Sequence, residues 1–142
     1  MLIRLFLVLG LTLSLAAEIN VSRDDLSSGD KDGVTAVFER SRLEGVLFRA
    51  VGNEPSWILE ISSDKEVLFL TNLGQDRTDF KIIEKFSEHG STEYKMRSKH
   101  NFLLVRVEER RCQDTMVDKV YESTVYINFD GVYMMGCGKA LK

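Results

Sequence analysis

A carboxylate three residues before the chain's only tryptophan is the first group in this sequence that could do chemistry. Glu54 precedes Trp57 in the run Asn53-Glu54-Pro55-Ser56-Trp57. A carboxyl group that is held beside an aromatic ring and shielded from water has a raised pKa, so it can act as a general acid. The structural alternative is that Glu54 accepts hydrogen bonds from turn amides or from an arginine. We favour that alternative, because ion pairs commonly account for such placements.

The other residues carry no familiar catalytic signature. His89 and His100 are the two histidines, and both fall in expected turns. The sequence contains no G-x-S-x-G elbow, no H-E-x-x-H zinc motif, no P-loop and no dinucleotide fingerprint. We therefore predict a protein that is not an enzyme, with no catalytic residue, no metal site and no cofactor.

The two cysteines, Cys112 and Cys137, are the remaining reactive pair. An even number of cysteines in an exported chain favours a disulfide over two free thiols, and no histidine stands at metal-ligand spacing from either cysteine. A bond between them would contribute about 3 to 4 kcal/mol to stability in the chain-entropy model. It would require residues 110–119 to fold back, as a loop or one helical turn, into a lid over one end of the sheet.

The first 44 residues predict export followed by a lead-in. Arg4 and the apolar run Leu5–Leu15 are typical of a signal peptide that ends at about residue 17, with an uncleaved anchor or a buried helix as alternatives. Because no cysteine follows the run, no lipid anchor is expected. Residues 18–44 are predicted to be a flexible lead-in, in which residues 34–43 form a short helix or a strand. The predicted location is the periplasm or the exterior.

The charge balance argues against two classes of partner. The formal net charge is -3, and no basic cluster is visible that would bind nucleic acid or anionic lipid. We therefore expect no nucleic-acid partner and no stable membrane anchor once the signal peptide is cleaved.

Residues 45–142 predict a mostly β domain. Alternating apolar and polar residues indicate about eight short strands, which suit a small antiparallel β-barrel or sandwich with one disulfide. Phe80 to Phe86 alternates imperfectly, as a strand with a bulge does. Asp130-Gly131 predicts a type I′ hairpin turn. The interior of an eight-stranded barrel is either filled by side chains or holds one small ligand.

Two separated motifs resemble one known family. The first reads Phe48-Arg49-Ala50, then Gly52 to Trp57. The second comprises a cysteine, two acidic residues, a methionine, a tyrosine and a closing glycine-cysteine-glycine: Cys112, Asp114, Met116, Asp118, Tyr121 and Gly136 to Gly138. They resemble the F-R-A-x-G-N-E-P-F-W and C-terminal G-C patterns of small uncharacterised bacterial envelope proteins, often lipoproteins, which sometimes accompany META-type (HslJ-like) domains. The resemblance implies a related small β-barrel and no established activity.

The chain departs from that family's pattern at three places. Ser56 replaces an aromatic residue, Val117 stands where serine is common, and the lipid-bearing cysteine is absent. Physically, the first motif predicts a structural corner: Gly52 with a positive φ, Asn53 in an Asx turn and Pro55 with a fixed φ.

Together these observations predict a non-enzymatic envelope domain. It would bind a small apolar ligand or a protein partner at a barrel end or rim, and the predicted binding residues are Asn53, Glu54, Trp57, Asp114 and Tyr121. One alternative is a secreted inhibitor of a host hydrolase such as lysozyme. Another is a hydrolase that uses Glu54.

Overall fold

The computed structural model describes residues 31–141, with side chains from residue 36 onward. The predicted signal peptide and residues 18–30 of the lead-in lie outside the described residues. The elements are helix α1 (Lys31–Leu43) and strands β1 (Val46–Asn53), β2 (Ser56–Ser62), β3 (Glu66–Thr71), β4 (Asp76–Glu88), β5 (Ser91–Arg97), β6 (Phe102–Glu108), β7 (Cys112–Asp114), β8 (Lys119–Tyr121), β9 (Ser123–Phe129) and β10 (Val132–Ala140).

Eight of these strands close into an antiparallel barrel, which confirms the predicted fold class and selects the barrel over the sandwich. Strands β1 to β6 pair in chain order, β6 pairs with β9 and β9 with β10, and β10 pairs with β1 to close the circle. The closing pair joins Phe48 to Ala140 and Val51 to Cys137. β7 and β8 pair only with each other and form a separate hairpin between β6 and β9.

The barrel interior is apolar because successive side chains of a strand point to opposite faces of the sheet. The inward positions include the largest fully buried side chains: Trp57, Phe69, Phe80, Leu59, Met96 and Leu103. Aromatic rings pack edge to face inside it, with the ring centroids of Phe69 and Phe129 5.3 Å apart. This contiguous core is the main source of stability of the domain.

Two local predictions are confirmed. The pairing of β4 with β5 shifts register between Ile82 and Glu84, which is the predicted bulge. Asp130 and Gly131 have φ values of 46° and 90° and join a directly paired Phe129 and Val132, as a two-residue type I′ turn requires.

Residues 34–43, which the sequence allowed to be either a helix or a strand, are helical and belong to α1. α1 packs against the outer wall of the barrel rather than inside it. Phe38 is buried there in a second apolar cluster with Val46, Tyr121 and Leu141. Gly45, with a φ of 83°, ends the helix in the left-handed conformation that glycine adopts without strain. Among residues 31–141, no helix is long and apolar enough to cross a membrane.

The disulfide between Cys112 and Cys137 is confirmed, with 5.3 Å between the two Cα atoms. The predicted lid is wrong. Residues 112–121 form the β7–β8 hairpin, which lies against the outer face of β10 instead of covering a barrel end. A Cβ on Gly136 or Gly138 would meet core side chains, so the intervening Cys137 faces outward. The bond therefore fastens the hairpin to the outside of the wall.

Candidate functional site

The two sequence motifs meet in one cleft on the outside of the barrel. The cleft has a volume of about 510 Å³ and lies between α1, the β1–β2 hairpin and the β7–β8 hairpin. We call it the motif cleft, and its defining residues are Val37, Phe38, Arg49, Asn53, Trp57, Asp114 and Tyr121. Four of the five predicted binding residues line it, which places residues of both motifs around one volume.

A hydrogen bond joins the two motifs directly. The Nδ2 group of Asn53 donates to Oδ1 of Asp114 over 2.8 Å, although the residues are 61 positions apart in the chain. The backbone N–H of Met116 donates to the same oxygen over 3.0 Å. Asp114 is only 6% exposed, so these bonds compensate for the cost of burying a carboxylate. The amide of Asn53 thus ties the first hairpin to the second, and the predicted Asx turn at Asn53 is wrong, because Pro55 two residues on has no N–H to donate.

Trp57 lies at the inner end of the cleft, and two glycines make room for it. A Cβ on Gly52 would lie 2.1 Å from Trp57 Nε1, and a Cβ on Gly136 would lie 2.6 Å from Cζ2 of the same indole. The predicted positive φ at Gly52 is wrong: Gly52 is an ordinary strand residue paired with Trp57. Glycine is required there for close packing rather than for a turn. The indole Nε1 is buried and has no hydrogen-bond partner among the described residues.

Tyr121 forms the opposite wall of the cleft. Its side chain is 3% exposed and packs against Phe38, with 5.8 Å between ring centroids. Burial raises the pKa of the Tyr121 hydroxyl; the negative charge of Asp114 raises it further, and Arg49 lowers it. The hydroxyl forms no hydrogen bond with any described residue. Tyr121 therefore brings an unused donor to an otherwise apolar wall.

Sequence reasoning missed the cationic side of the cleft. Arg49 donates hydrogen bonds to Ser41 and Glu60, and Ser41 itself donates to Glu60 over 2.8 Å. This network fastens α1 to the wall of β1 and β2. Arg49 belongs to the first motif, so its position was visible in the sequence, but its role depends on a helix that the pattern left open.

Lys119 was also missed. Its Nζ atom lies 4.8 Å from the centre of the Phe38 ring and 5.6 Å from the centre of the Tyr121 ring. Burial lowers the pKa of Lys119, and the nearby charge of Lys139 lowers it further. Lys119 stands two residues before Tyr121, so strand alternation would have placed both side chains on one face. That signal was missed because residues 110–119 were predicted to form a lid, which put Lys119 and Tyr121 in different elements.

Glu54 does not join the other four predicted residues. It is exposed at the tip of the β1–β2 hairpin and lines a neighbouring concavity instead of the motif cleft. A general acid made by desolvation needs a buried carboxyl group, so this position provides no support for the hydrolase hypothesis. His89 and His100 are both exposed, as the turn prediction implied.

A second concavity, also of about 510 Å³, opens at the end of the barrel where β2 meets β3. Core-facing side chains line it, including Phe48, Ile61, Ile82 and Tyr94. We call it the barrel mouth. It is the entrance that a ligand inside the barrel would use. Of the residues in the two motifs, only Phe48 lines it.

Comparison of the chain with models of protein families, with curated proteins and with solved structures gives no match. The resemblance to small envelope proteins therefore rests on the two motifs alone.

Proposed function

We propose that this protein is an exported, non-enzymatic binding domain whose motif cleft holds a small ligand with an apolar body and a polar end. The observation that carries the proposal is the meeting of the two motifs, through Asn53 and Asp114, around a cleft on the outer wall. A barrel needs neither residue to close its sheet. Residues that are placed around a concavity instead of within the core are the ones expected to bind.

The lining of the cleft suits such a ligand. Val37, Val51, Ile58 and Val117 provide an apolar surface, and the polar groups converge near Tyr121. Binding sites for small molecules are mostly apolar with a few placed polar groups, and their volumes are typically about 300 to 1,000 Å³. The motif cleft falls within that range.

Export is the second part of the proposal. It is supported by the apolar run after Arg4 and by the disulfide, because disulfides persist in oxidising compartments. We propose cleavage near residue 17 and release into the periplasm or the exterior, without a lipid anchor.

Native mass spectrometry of the mature protein, purified from the envelope of its own cell, tests this function. We expect a bound small molecule on the oxidised chain. The variant Val117→Trp fills the cleft from the β7–β8 turn, where Val117 is 43% exposed, and should remove the bound mass. Val120→Trp is the matched control, since Val120 is 48% exposed on the same hairpin but does not line the cleft.

Two results would contradict the proposal. One is equal occupancy in Val117→Trp and Val120→Trp, which would place the ligand elsewhere. The other is a bare monomer in the wild type, which would favour a protein partner, with the host hydrolase of the inhibitor hypothesis as the first to assay.

A further inference from the structure

Two lysines lie beside the motif cleft without a carboxylate partner. Neither Lys119 nor Lys139 forms an ion pair with any described residue. Lys139 is the direct cross-strand neighbour of Arg49, which lines the cleft, and its charge reaches Lys119. Like charges that face each other across strands are unfavourable, so this arrangement weakens the free protein.

The carboxylates nearby do not neutralise this pair. Glu60 is already engaged by Arg49 and Ser41. Asp114 is the cross-strand partner of Lys119 in the β7–β8 hairpin but forms no ion pair with it, and its Oδ1 accepts from the amide of Asn53 and the backbone N–H of Met116. Against these two carboxylates stand the three cations Arg49, Lys119 and Lys139, so these five groups together carry one surplus positive charge.

A second, independent feature points to the same ligand chemistry. Tyr121 is only 3% exposed, and its hydroxyl has no hydrogen-bond partner among the described residues. Among the described residues only Trp57 Nε1 is a fully buried polar side-chain atom without a partner, so the Tyr121 hydroxyl is open to the cleft, where an oxygen acceptor on a ligand can bond to it. The unused group is a donor, as are the two ammonium groups.

We infer that the polar end of the ligand is an anion, a carboxylate or a phosphate, which binds between Lys119, Lys139 and the Tyr121 hydroxyl. The ligand is then an anionic amphiphile whose chain lies along Val37, Val51 and Ile58. This inference rests on the proposed function and specifies the class of its ligand. A carboxylate and a phosphate share the acceptor oxygens and the negative charge that the site requires.

The test is an NMR titration with three eight-carbon probes: octanoate, octyl phosphate and the uncharged octanol. Trp57 is the only tryptophan, so its single indole N–H signal reports directly on the cleft. We expect the tighter of the two anions to bind about tenfold more tightly than octanol, because two partly screened cations act on it. The ratio between the two anions identifies the headgroup.

The double variant Lys119→Gln/Lys139→Gln should remove that tenfold preference and leave the affinity for octanol within about twofold. Lys99→Gln is the control, because Lys99 is exposed in the turn between β5 and β6. Added salt should weaken the binding of the anion and leave octanol unaffected.

The possible failures are distinguishable. Equal binding of octanol and the anions, or a preference that survives in the double variant, would overturn the inference and leave the proposed function standing. An indole signal that responds to none of the three probes would overturn the inferred ligand class, and a bare wild-type monomer in the native mass spectrum would contradict the proposed function as well.

Discussion

The inside of the barrel and the motif cleft share strand β1, yet they are built in different ways. Ala50 and Gly52 point inward, where close packing leaves no room for a larger side chain at Gly52. Arg49, Val51 and Asn53 belong to the cleft. The interior is filled and apolar, whereas the cleft has a tyrosine hydroxyl without a hydrogen-bond partner and, beside it, two lysines without an ion-pair partner among the described residues. The difference separates stability, which the interior provides, from the proposed binding, which we assign to the cleft.

The disulfide offers the largest test of this comparison. The double variant Cys112→Ala/Cys137→Ala should lower the free energy of unfolding by about 3 to 4 kcal/mol, measured by urea denaturation. Because the bond fastens the hairpin to the outer wall, the barrel should remain folded while binding in the cleft is lost. A shift of the single Trp57 indole N–H signal to its position in the unfolded chain would show instead that the barrel depends on the hairpin.

Packing at Gly136 tests the interior alone. A Cβ there would lie 2.1 Å from the backbone oxygen of Val51, which cannot move aside easily. Gly136→Ala should therefore cost about 2 to 3 kcal/mol of stability. Met135→Ala is the matched control on the outer face of the same strand, where Met135 is 59% exposed, and should cost under about 0.5 kcal/mol. Equal costs at both positions would contradict the assignment of the two faces.

The bond between the motifs tests the cleft alone. Asn53→Ala leaves Asp114 with only the amide of Met116 as a donor to its Oδ1, so we expect a loss of about 1 kcal/mol. Ser56→Ala, at the paired position of the same hairpin, should have a smaller effect. An unchanged midpoint of urea denaturation in Asn53→Ala would mean that the hydrogen bond does not hold the hairpins together.

Four features could be predicted from the sequence. The strands and the bulge in β4 follow from the alternation of apolar and polar residues, the Asp130-Gly131 turn from local turn chemistry, and the disulfide from the expected compartment. Closure of the barrel could not be predicted, since it pairs Phe48 with Ala140 across most of the chain. The meeting of Asn53 with Asp114 depends on that closure. The role of Gly52 was misjudged because its neighbour in space, Trp57, acts through packing rather than through a turn.

Two tyrosines, one from each region, provide the smallest test. Burial raises the pKa of both Tyr94, at the barrel mouth, and Tyr121, in the cleft. Because the folded state then holds each phenolic proton more tightly than the unfolded state, stability should fall as the pH rises beyond about 10.

Only Tyr121 also experiences the charge of Asp114. In an NMR titration, Asp114→Asn should lower the pKa of Tyr121 and leave that of Tyr94 unchanged. A shift of equal size at both tyrosines would indicate a general loosening of the fold.

X-ray diffraction from crystals of the protein, purified without denaturation from the cells that make it, tests the central claim most directly. We expect electron density for a small molecule in the motif cleft, between Val37 and Val117, with an oxygen within hydrogen-bond distance of the Tyr121 hydroxyl. Density inside the barrel mouth, among Phe48, Ile82 and Tyr94, with an empty cleft would contradict the account, because binding would then belong to the interior.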